Sequence, residues 1–419
     1  MKKFLSLALI AAMLLSCVVL FGSCDSADPG ESNGSNETNE AGNVVAPSDF
    51  KLGVICLHDE DSTYDLNFIN GVKEAQKALG LRDDQVIIKR NIPESNACYE
   101  AALDLVDEGC DVIFANSFGH ETHILAAAKE KPEVEFCHAT GTMAHTEKLP
   151  NFHNAFASIY EGRYLAGVAA GMKLNAMIEA GEITAEQAKM GYVGAFTYAE
   201  GSSGYTSFYL GAKSVCPSVT MDVQFTGSWY DEPAERNTAN ALINGGSVQI
   251  SQPADSMGAP SACEDKGIPN TTYNGSTQEH CPDTFIVSSR NTWAPYFQYI
   301  CEQNMKGEAI ATDWTGTIAT GSVVLTDVTT AVAAAGTVEE IAKITEELKH
   351  GTRHVFNTAN FTVGGAPLTS YKADVDTDAA FEKDTEVIEN GVVFESKFRS
   401  APYFDIQIDG IKLLKTNFG

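Results

Sequence analysis

Positive charge is what this chain has least of. Lys and Arg number 28 against 56 Asp and Glu, which sets the formal net charge at −28 over 419 residues. Nucleic-acid binding rests on cationic contacts to phosphate, so a chain without a cationic footprint is not built for that partner. Acidity on this scale serves solubility and says little about mechanism. Catalytic signatures are also missing. The sequence has no G-x-S-x-G nucleophile elbow, no P-loop and no dinucleotide-binding glycine pattern. Gly201-Ser202-Ser203-Gly204 has one spacer too few for an elbow and reads as the loop that caps the next helix. No two cysteines stand at CxxC spacing.

The uncharged apolar run Phe4 to Phe21 follows Lys2 and Lys3, the pattern of a secretory signal. It ends in Gly22-Ser23-Cys24, which resembles a bacterial lipobox and makes Cys24 the expected lipidation site; Cys17, after Leu14-Leu15-Ser16, is the competing match. Residues 25 to about 48 contain no aromatic and no basic residue, so this segment cannot bury enough apolar surface to order itself and reads as a tether. The expected location is the extracytoplasmic face of the cell membrane, reached through an N-terminal lipid and with no transmembrane helix. At 44% hydrophobic residues the remainder can build a sizeable core, and its length favours two lobes. Eight cysteines remain beyond the leader. Cys263 and Cys281, in one polar region, are the pair best placed for a disulfide, although spacing does not fix connectivity.

Short apolar runs alternate with helical periodicity from Lys51 onward. Lys51–Leu57, Gln85–Asn91, Asp111–Ser117 and Val134–His138 read as strands, with helices at 67–79, 97–108 and 122–130 between them. This rhythm predicts βαβ units and an α/β fold with parallel sheets. The chain is organised around Glu135–Gly171, where strand, Gly turn and strand lead into a helix rich in small residues (Ala166, Gly167, Ala169, Ala170, Gly171). That succession predicts a crossover from one lobe to another, with the small residues there for close packing. The rhythm then restarts at 189–196, 205–215, 220–227, 232–244 and 246–251. A return to the first lobe is expected near Thr284–Met305, a strand over Thr317–Val328, and a terminal strand over Tyr403–Gly410.

Open α/β sheets bind ligands at the C-terminal ends of their strands. The loops there hold Asp61, Tyr64 and Asp65, then Asn116-Ser117-Phe118-Gly119, and His138-Ala139-Thr140-Gly141. In the second set they hold Phe196-Thr197-Tyr198, Trp229-Tyr230-Asp231, Gln252-Pro253-Ala254-Asp255 and Arg290 to Trp293. Aromatic faces suit a flat ring, and carboxylates suit hydroxyl groups. Each aromatic could equally be core packing, and Asp231 and Asp255 could each be a helix N-cap. His120-Glu121-Thr122-His123 is one residue short of a zincin motif. It leaves a metal-dependent hydrolase as the outside alternative, with loop and surface histidines the plainer reading.

Asn116-SFG, His138-ATG, Tyr160-EGRYLAGVAAG, Lys189-MGYVGAF, Ser228-WYDE, Gln252-PADSMGAP, Ser289-RNTWAPYF and Asp313-WTG together resemble the basic membrane lipoprotein family of ABC-transporter substrate-binding proteins, over roughly Lys51 to Val328. The resemblance implies a type I periplasmic-binding fold, two Rossmann-like lobes joined by three crossovers. Expected boundaries are 1–23 for the signal peptide and 24–49 for the tether. The N-terminal lobe takes 50–159 with about 289–316, and the C-terminal lobe 160–288 with about 317–419. It also implies a non-enzymatic, monomeric receptor without a cofactor, delivering a purine nucleoside or related base to an ABC permease. A sensory receptor with the same cleft is the alternative. Ser117, Phe118, Trp229, Asp231 and Asp255 are the strongest implied ligand contacts. Asp61, Tyr64, Asp65, Asn116, Phe196 and Arg290 complete the set. The sequence departs from the family where Pro253-Ala254 replace a histidine-containing pair and where Arg290 stands near a lysine position.

Overall fold

Strands β1 (Leu52–Ile55) and β3 (Val112–Ala115) are short apolar runs buried on both faces, as parallel strands covered by helices must be. The computed structural model describes residues 47–375, 380 and 382–416. The expected leader, Cys17, Cys24 and nearly all of the expected tether lie outside the described residues. Among the described residues no helix is long and apolar enough to cross a membrane.

Two sheets form. The first, in order β2 (Val86–Lys89), β1, β3, β4 (Glu135–Ala139), β5 (Phe152–Ala157) and β11 (Asp313–Gly316), is parallel throughout. Helices α1 (Thr63–Leu79), α2 (Asn96–Asp107) and α3 (Glu121–Glu130) connect its first strands, with one turn of helix, α4 (Ala144–Glu147), before β5. Helix α1 starts at Ser62, whose Oγ accepts from the Asp65 N–H, and ends at left-handed Gly80.

The chain leaves this sheet after β5 through α5 (Ile159–Glu179) and builds the second. Its order is β12 (Val323–Leu325), β10 (Phe285–Asn291), β9 (Asn270–Tyr273), β8 (Gln249–Ser251), β6 (Lys189–Gly194), β7 (Thr220–Phe225) and β19 (Ile411–Lys415), and only β12 runs antiparallel to its neighbour. Helices α6 (Ala199–Val215), α7 (Glu232–Asn244) and α8 (Gly258–Glu264) serve it. After β10 the chain returns through α9 (Ala294–Lys306), which packs on α1, to β11, and crosses a third time to β12. The protein is therefore α/β, two parallel-sheet lobes linked by three crossovers.

The small residues of α5 act as the sequence predicts. A Cβ on Gly167 would lie 2.0 Å from the Phe208 carbonyl oxygen, and one on Gly211 of α6 would lie 2.0 Å from that of Tyr164. The two backbones touch, and no side chain fits between them.

The tail differs from expectation. Tyr403 to Ile408 is not a strand: Tyr403, Phe404 and Ile408 are buried in the second-lobe core, and pairing with β7 begins only at Ile411. Gly410 (φ 94°) makes the turn, and a Cβ there would strike the Tyr209 hydroxyl. The expected strand over Thr317–Val328 shrinks to β12, because Thr317–Gly321 forms a turn held by Thr320. A further helix, α10 (Thr337–Lys349), packs on α5, and three two-residue ribbons (β13 to β18, within Thr362–Val393) follow it. All eight described cysteines, Cys263 and Cys281 included, are free and buried. Burial raises the Cys281 thiol to about 11 and the Cys263 thiol further, so both stay protonated.

Glu395 anchors the tail. It is fully buried, accepts from the Ser203 hydroxyl on α6 and from the Phe404 N–H (2.9 Å), and burial lifts its carboxyl to about 8.

Two consequences are measurable. Gly→Ala in a helix interior ordinarily gains ~0.5–1 kcal/mol, but overpacking costs ~1–3 kcal/mol. Gly167→Ala and Gly211→Ala should therefore each lower unfolding free energy in urea. A carboxyl whose folded pKa is raised stabilises fully below its unfolded value and loses that contribution as pH rises toward the folded one. Thermal midpoints should therefore fall from pH 5 to pH 8.5, and Glu395→Gln, which keeps the neutral form, should flatten that fall.

Candidate functional site

The loops at the C-terminal ends of the strands of both sheets face each other across one cleft. A space of about 450 Å³, part of it open to solvent, is lined from the first lobe by Leu57, His58, Tyr64, Asp65, Ser117, Phe118 and Thr140, and from the second by Glu200, Trp229, Pro253, Asp255, Tyr273 and Asn274. Glu200, Trp229, Pro253 and Tyr273 also border a second space of about 320 Å³, with Arg163, Tyr192 and Phe196. The lobes are in contact across it. The Thr63 N–H and hydroxyl both donate to the Asp255 carbonyl (3.4 and 3.3 Å), Asn67 Nδ2 donates to Asn274 Oδ1 (3.1 Å), and the Phe118 and Tyr198 rings lie 5.4 Å apart.

The first-lobe wall is tied together behind its lining. Asn116 Oδ1 accepts from the Leu57 N–H (3.0 Å), while its Nδ2 donates to Asp65 Oδ1 (2.7 Å), which also accepts from the His58 N–H (3.1 Å). The Tyr64 hydroxyl donates to the Asn116 carbonyl (2.6 Å). Asn116 thus joins the ends of β1 and β3 to the first turn of α1. Glu121, its carboxyl pushed upward by burial, accepts from Thr142 N, Met143 N (both 2.8 Å) and Asn154 Nδ2 (3.0 Å). It holds the turn after β4, where Thr140 has φ 66° and Gly141 leaves no room for a Cβ beside Asn154, Glu121 and His138. A β-branched residue with positive φ is strained, and its place in the cavity wall puts that strain at the site.

That arrangement answers the histidine motif. His120 Nδ1 accepts from the Ser117 N–H (3.4 Å) and its Nε2 contacts the Ile92 carbonyl (2.9 Å), while burial lowers its pKa to about 4. Both ring nitrogens are spent on backbone. Among the described residues no cluster of three potential ligands could hold a metal.

On the second-lobe wall, Asp255 Oδ1 accepts from Asn274 Nδ2 (3.3 Å) and its N–H donates to the Trp229 carbonyl (3.0 Å). Burial, then the charges of Asp65 and Glu235, hold the Asp255 carboxyl well above the usual range. Glu235, raised to about 7 by burial, accepts from the N–H groups of Asp231 (3.1 Å) and Ser256 (3.3 Å) and so binds the two loops together. Arg163 donates to the Thr272 carbonyl (3.0 Å) and Ser251 Oγ (2.8 Å), with the rings of Tyr192, Phe208 and Tyr273 around its guanidinium. Trp229 meets Phe196 edge-on at 5.1 Å, and Phe196 stacks on Tyr198 at 5.3 Å. Asp65 Oδ2, the Tyr273 and Tyr192 hydroxyls and Arg163 Nε are buried with no hydrogen-bond partner, and all four belong to residues lining these spaces. Unsatisfied buried polar atoms cost ~1–3 kcal/mol each, and a bound molecule that supplied partners to these four would remove that cost.

Of the residues singled out from sequence, Ser117, Phe118, Trp229, Asp255, Tyr64, Asp65 and Phe196 come together at the cleft. Asn116 stands behind it. Asp61 is exposed, its N–H bonded to Asp59. Asp231 caps α7, accepting from the Ala234 N–H (2.9 Å). Arg290, next to last in β10, borders a separate space of about 190 Å³ with Asn67, Asn70 and Glu74 of α1. Trp293 is core, stacked on Phe68 at 4.3 Å. Sequence reasoning passed over His58, Arg163, Glu200, Tyr273 and Asn274. The helix expected from 205 in fact begins at Ala199, so Gly201–Gly204 is helix and not a capping loop, and Glu200 lies in the first turn of α6. The Asn274-Gly275 turn signal after a strand was available for the last pair.

Residues 54–352 match the family described as ABC transporter substrate-binding protein, PnrA-like. Over 211 residues the chain is 33% identical to a putative ABC transporter glucose-binding protein, TsgA13, of Haloferax volcanii, covering 50% of each chain. Over 228 residues it is 31% identical to a purine-binding protein of Brucella abortus, covering 54% of this chain and 60% of that one. The chain thus spans about half to three-fifths of the length of these two relatives. Among solved structures, a solute-binding protein of an ABC transporter system from Aeropyrum pernix superposes with a TM-score of 0.60 at 15% identity, over 72% of this chain and 92% of its own. One from Conexibacter woesei gives 0.59 at 19%, over 73% and 98%. These likenesses concern the fold alone. With the family match covering most of the chain, this protein belongs to the PnrA-like family of ABC transporter substrate-binding proteins.

Proposed function

We propose that this chain is a lipid-anchored extracytoplasmic solute receptor that captures a purine nucleoside or related nucleobase between its lobes and delivers it to an ABC permease. No bond is made or broken. The observation that carries the reading is the cleft itself, where the aromatic faces of Trp229, Phe118, Tyr64 and Tyr273 stand beside the carboxyls of Asp65 and Asp255. A flat ring stacks on the former, and ribose hydroxyls donate to the latter. The name of the Brucella relative supports a purine; that of the Haloferax relative, a glucose-binding protein, keeps sugars in the test. Cys24 is the proposed lipid site. Residues 50–159 with about 289–316, and 160–288 with about 317–419, are the proposed moving bodies. Closure is hinge bending, favoured by contacts made only when ligand bridges the lobes.

Ligand that binds only the native state raises the melting temperature. A thermal-shift screen over nucleosides, bases, sugars and amino acids should show its largest shift with a purine nucleoside or base. A response confined to sugars or amino acids would overturn the ligand class. Base stacking on an aromatic side chain is worth ~1–3 kcal/mol, so Trp229→Ala should weaken calorimetric binding by roughly 10- to 100-fold. Asp255→Ala should weaken it comparably, each variant melting close to the wild type without ligand. Unchanged affinity in both would sink the site.

A further inference from the structure

We propose that Glu200 is the specificity-determining residue of the cleft and that its carboxyl pairs with the hydrogen-bonding edge of the bound base. The inference rests on the purine reading above and assigns a residue that neither sequence reasoning nor the family resemblance supplied.

Glu200 is the second residue of α6 and borders both the 450 Å³ and the 320 Å³ spaces, on the same wall as Trp229 and Tyr273. It also borders a third space of about 550 Å³ that opens toward Phe118, Tyr198 and Arg399. No other residue lines all three. Among the described residues its carboxyl has neither a hydrogen-bond partner nor an ion pair, whereas Glu121, Glu161, Glu235 and Glu395, the other glutamates raised by burial, each accept from named groups. Those four hold protein together. Glu200 holds nothing.

The groups facing it come from every surrounding element: His58 after β1, Tyr64 and Asp65 on α1, Arg163 on α5, Tyr192 on β6, Asp255 after β8, Tyr273 on β9 and Arg399 in the tail. The charge of Glu200 acts on Tyr64, Tyr192, Tyr273 and Asp255. Neither cation neutralises it: Arg163 is engaged by Thr272 and Ser251, and Arg399 by the carbonyls of Asp374, Ala401 and Pro402. Burial alone lifts the Glu200 carboxyl to about 7.

A carboxyl in that position reads two different edges. Ionised, it offers two acceptors and fits an edge with two adjacent N–H donors, the N1–H and 2-amino face of guanine. Protonated, it offers one donor and one acceptor, and fits edges of mixed sense such as those of hypoxanthine and adenine. Guanosine and inosine differ only in the 2-amino group, so their affinity ratio isolates this contact.

Calorimetric titration of the wild type with each nucleoside at pH 5.5 and pH 8.0 tests the assignment. The guanosine-to-inosine affinity ratio should rise by at least about tenfold between the two, the size of one hydrogen bond to a charged group. In Glu200→Gln, which carries one donor and one acceptor at any pH, the ratio should stay constant and inosine binding should persist. A wild-type ratio that does not move with pH, or moves equally in the variant, overturns the assignment while leaving purine capture intact. A wild type that binds neither nucleoside at either pH, yet is stabilised by another ligand class, removes the purine reading and this one with it.

Discussion

Helices α5 and α6 pack backbone to backbone, and the functional geometry of the second lobe follows from that contact. Gly167 against Phe208 and Gly211 against Tyr164 let the two helices approach more closely than any side chain would permit. The approach fixes both helices against the sheet. From α5, Arg163 reaches the Thr272 carbonyl and Ser251 Oγ, at the ends of β9 and β8. From α6, Glu200 projects from the first turn into the cleft. A wider helix pair would move a cation and an acid away from the strand ends whose loops form the wall. The packing constraint and the recognition surface are one piece of structure.

The cleft concentrates negative charge that the protein leaves largely unpaired. Asp65, Asp255 and Glu200 line one space, and among the described residues the hydrogen bonds to these carboxyls come from neutral donors: Asn116 and the His58 N–H for Asp65, and Asn274 for Asp255. Bringing such groups together out of water is costly, and raised carboxyl pKa values at Asp255 and Glu200 are the form that cost takes. A ligand rich in N–H and O–H donors would offset that cost by supplying partners to these carboxyls. An anionic ligand would meet no free cation in the 450 Å³ cavity and would add repulsion.

The lobes and their sheets were legible from short apolar runs spaced by helical periodicity, and α5 from its Gly and Ala content. The cleft was half legible. Ser117 and Phe118, directly after the apolar strand β3, could be placed because the strand end locates the loop, and Trp229 because the alternating strand β7 does the same. Tyr273 and Asn274 carried only the Asn274-Gly275 turn signal, because β9 is four residues long and reads NTTY, with no apolar run to announce it. Glu200 was missed because the helix was expected to begin at 205, whereas α6 begins at Ala199 and carries Glu200 in its first turn. Asp231 failed in the opposite sense: its side chain fits both a ligand contact and an N-cap, and the Ala234 N–H takes it. Arg290 was read into the loop after its strand, whereas it is the next-to-last residue of β10 and borders a separate space beside α1.

The tail beyond the family match connects these parts. From Arg353 onward it is packed into the second-lobe core through Phe356, Tyr371, Phe404 and Ile408, and it finishes as β19 on the edge of that sheet. Glu395 takes the hydroxyl of Ser203, one turn along α6 from Glu200. A few residues later the Ser400 N–H donates to Asp313 Oδ2 (2.8 Å) on β11, a strand of the first sheet. One short stretch of tail therefore grips the helix that carries the cleft's unpaired acid and also touches the opposite lobe. Arg399, Ala401 and Pro402 line the outer space beside Phe118 and Tyr198. Among the described residues the tail thus lines the rim of the cleft without contributing a residue to the inner cavity.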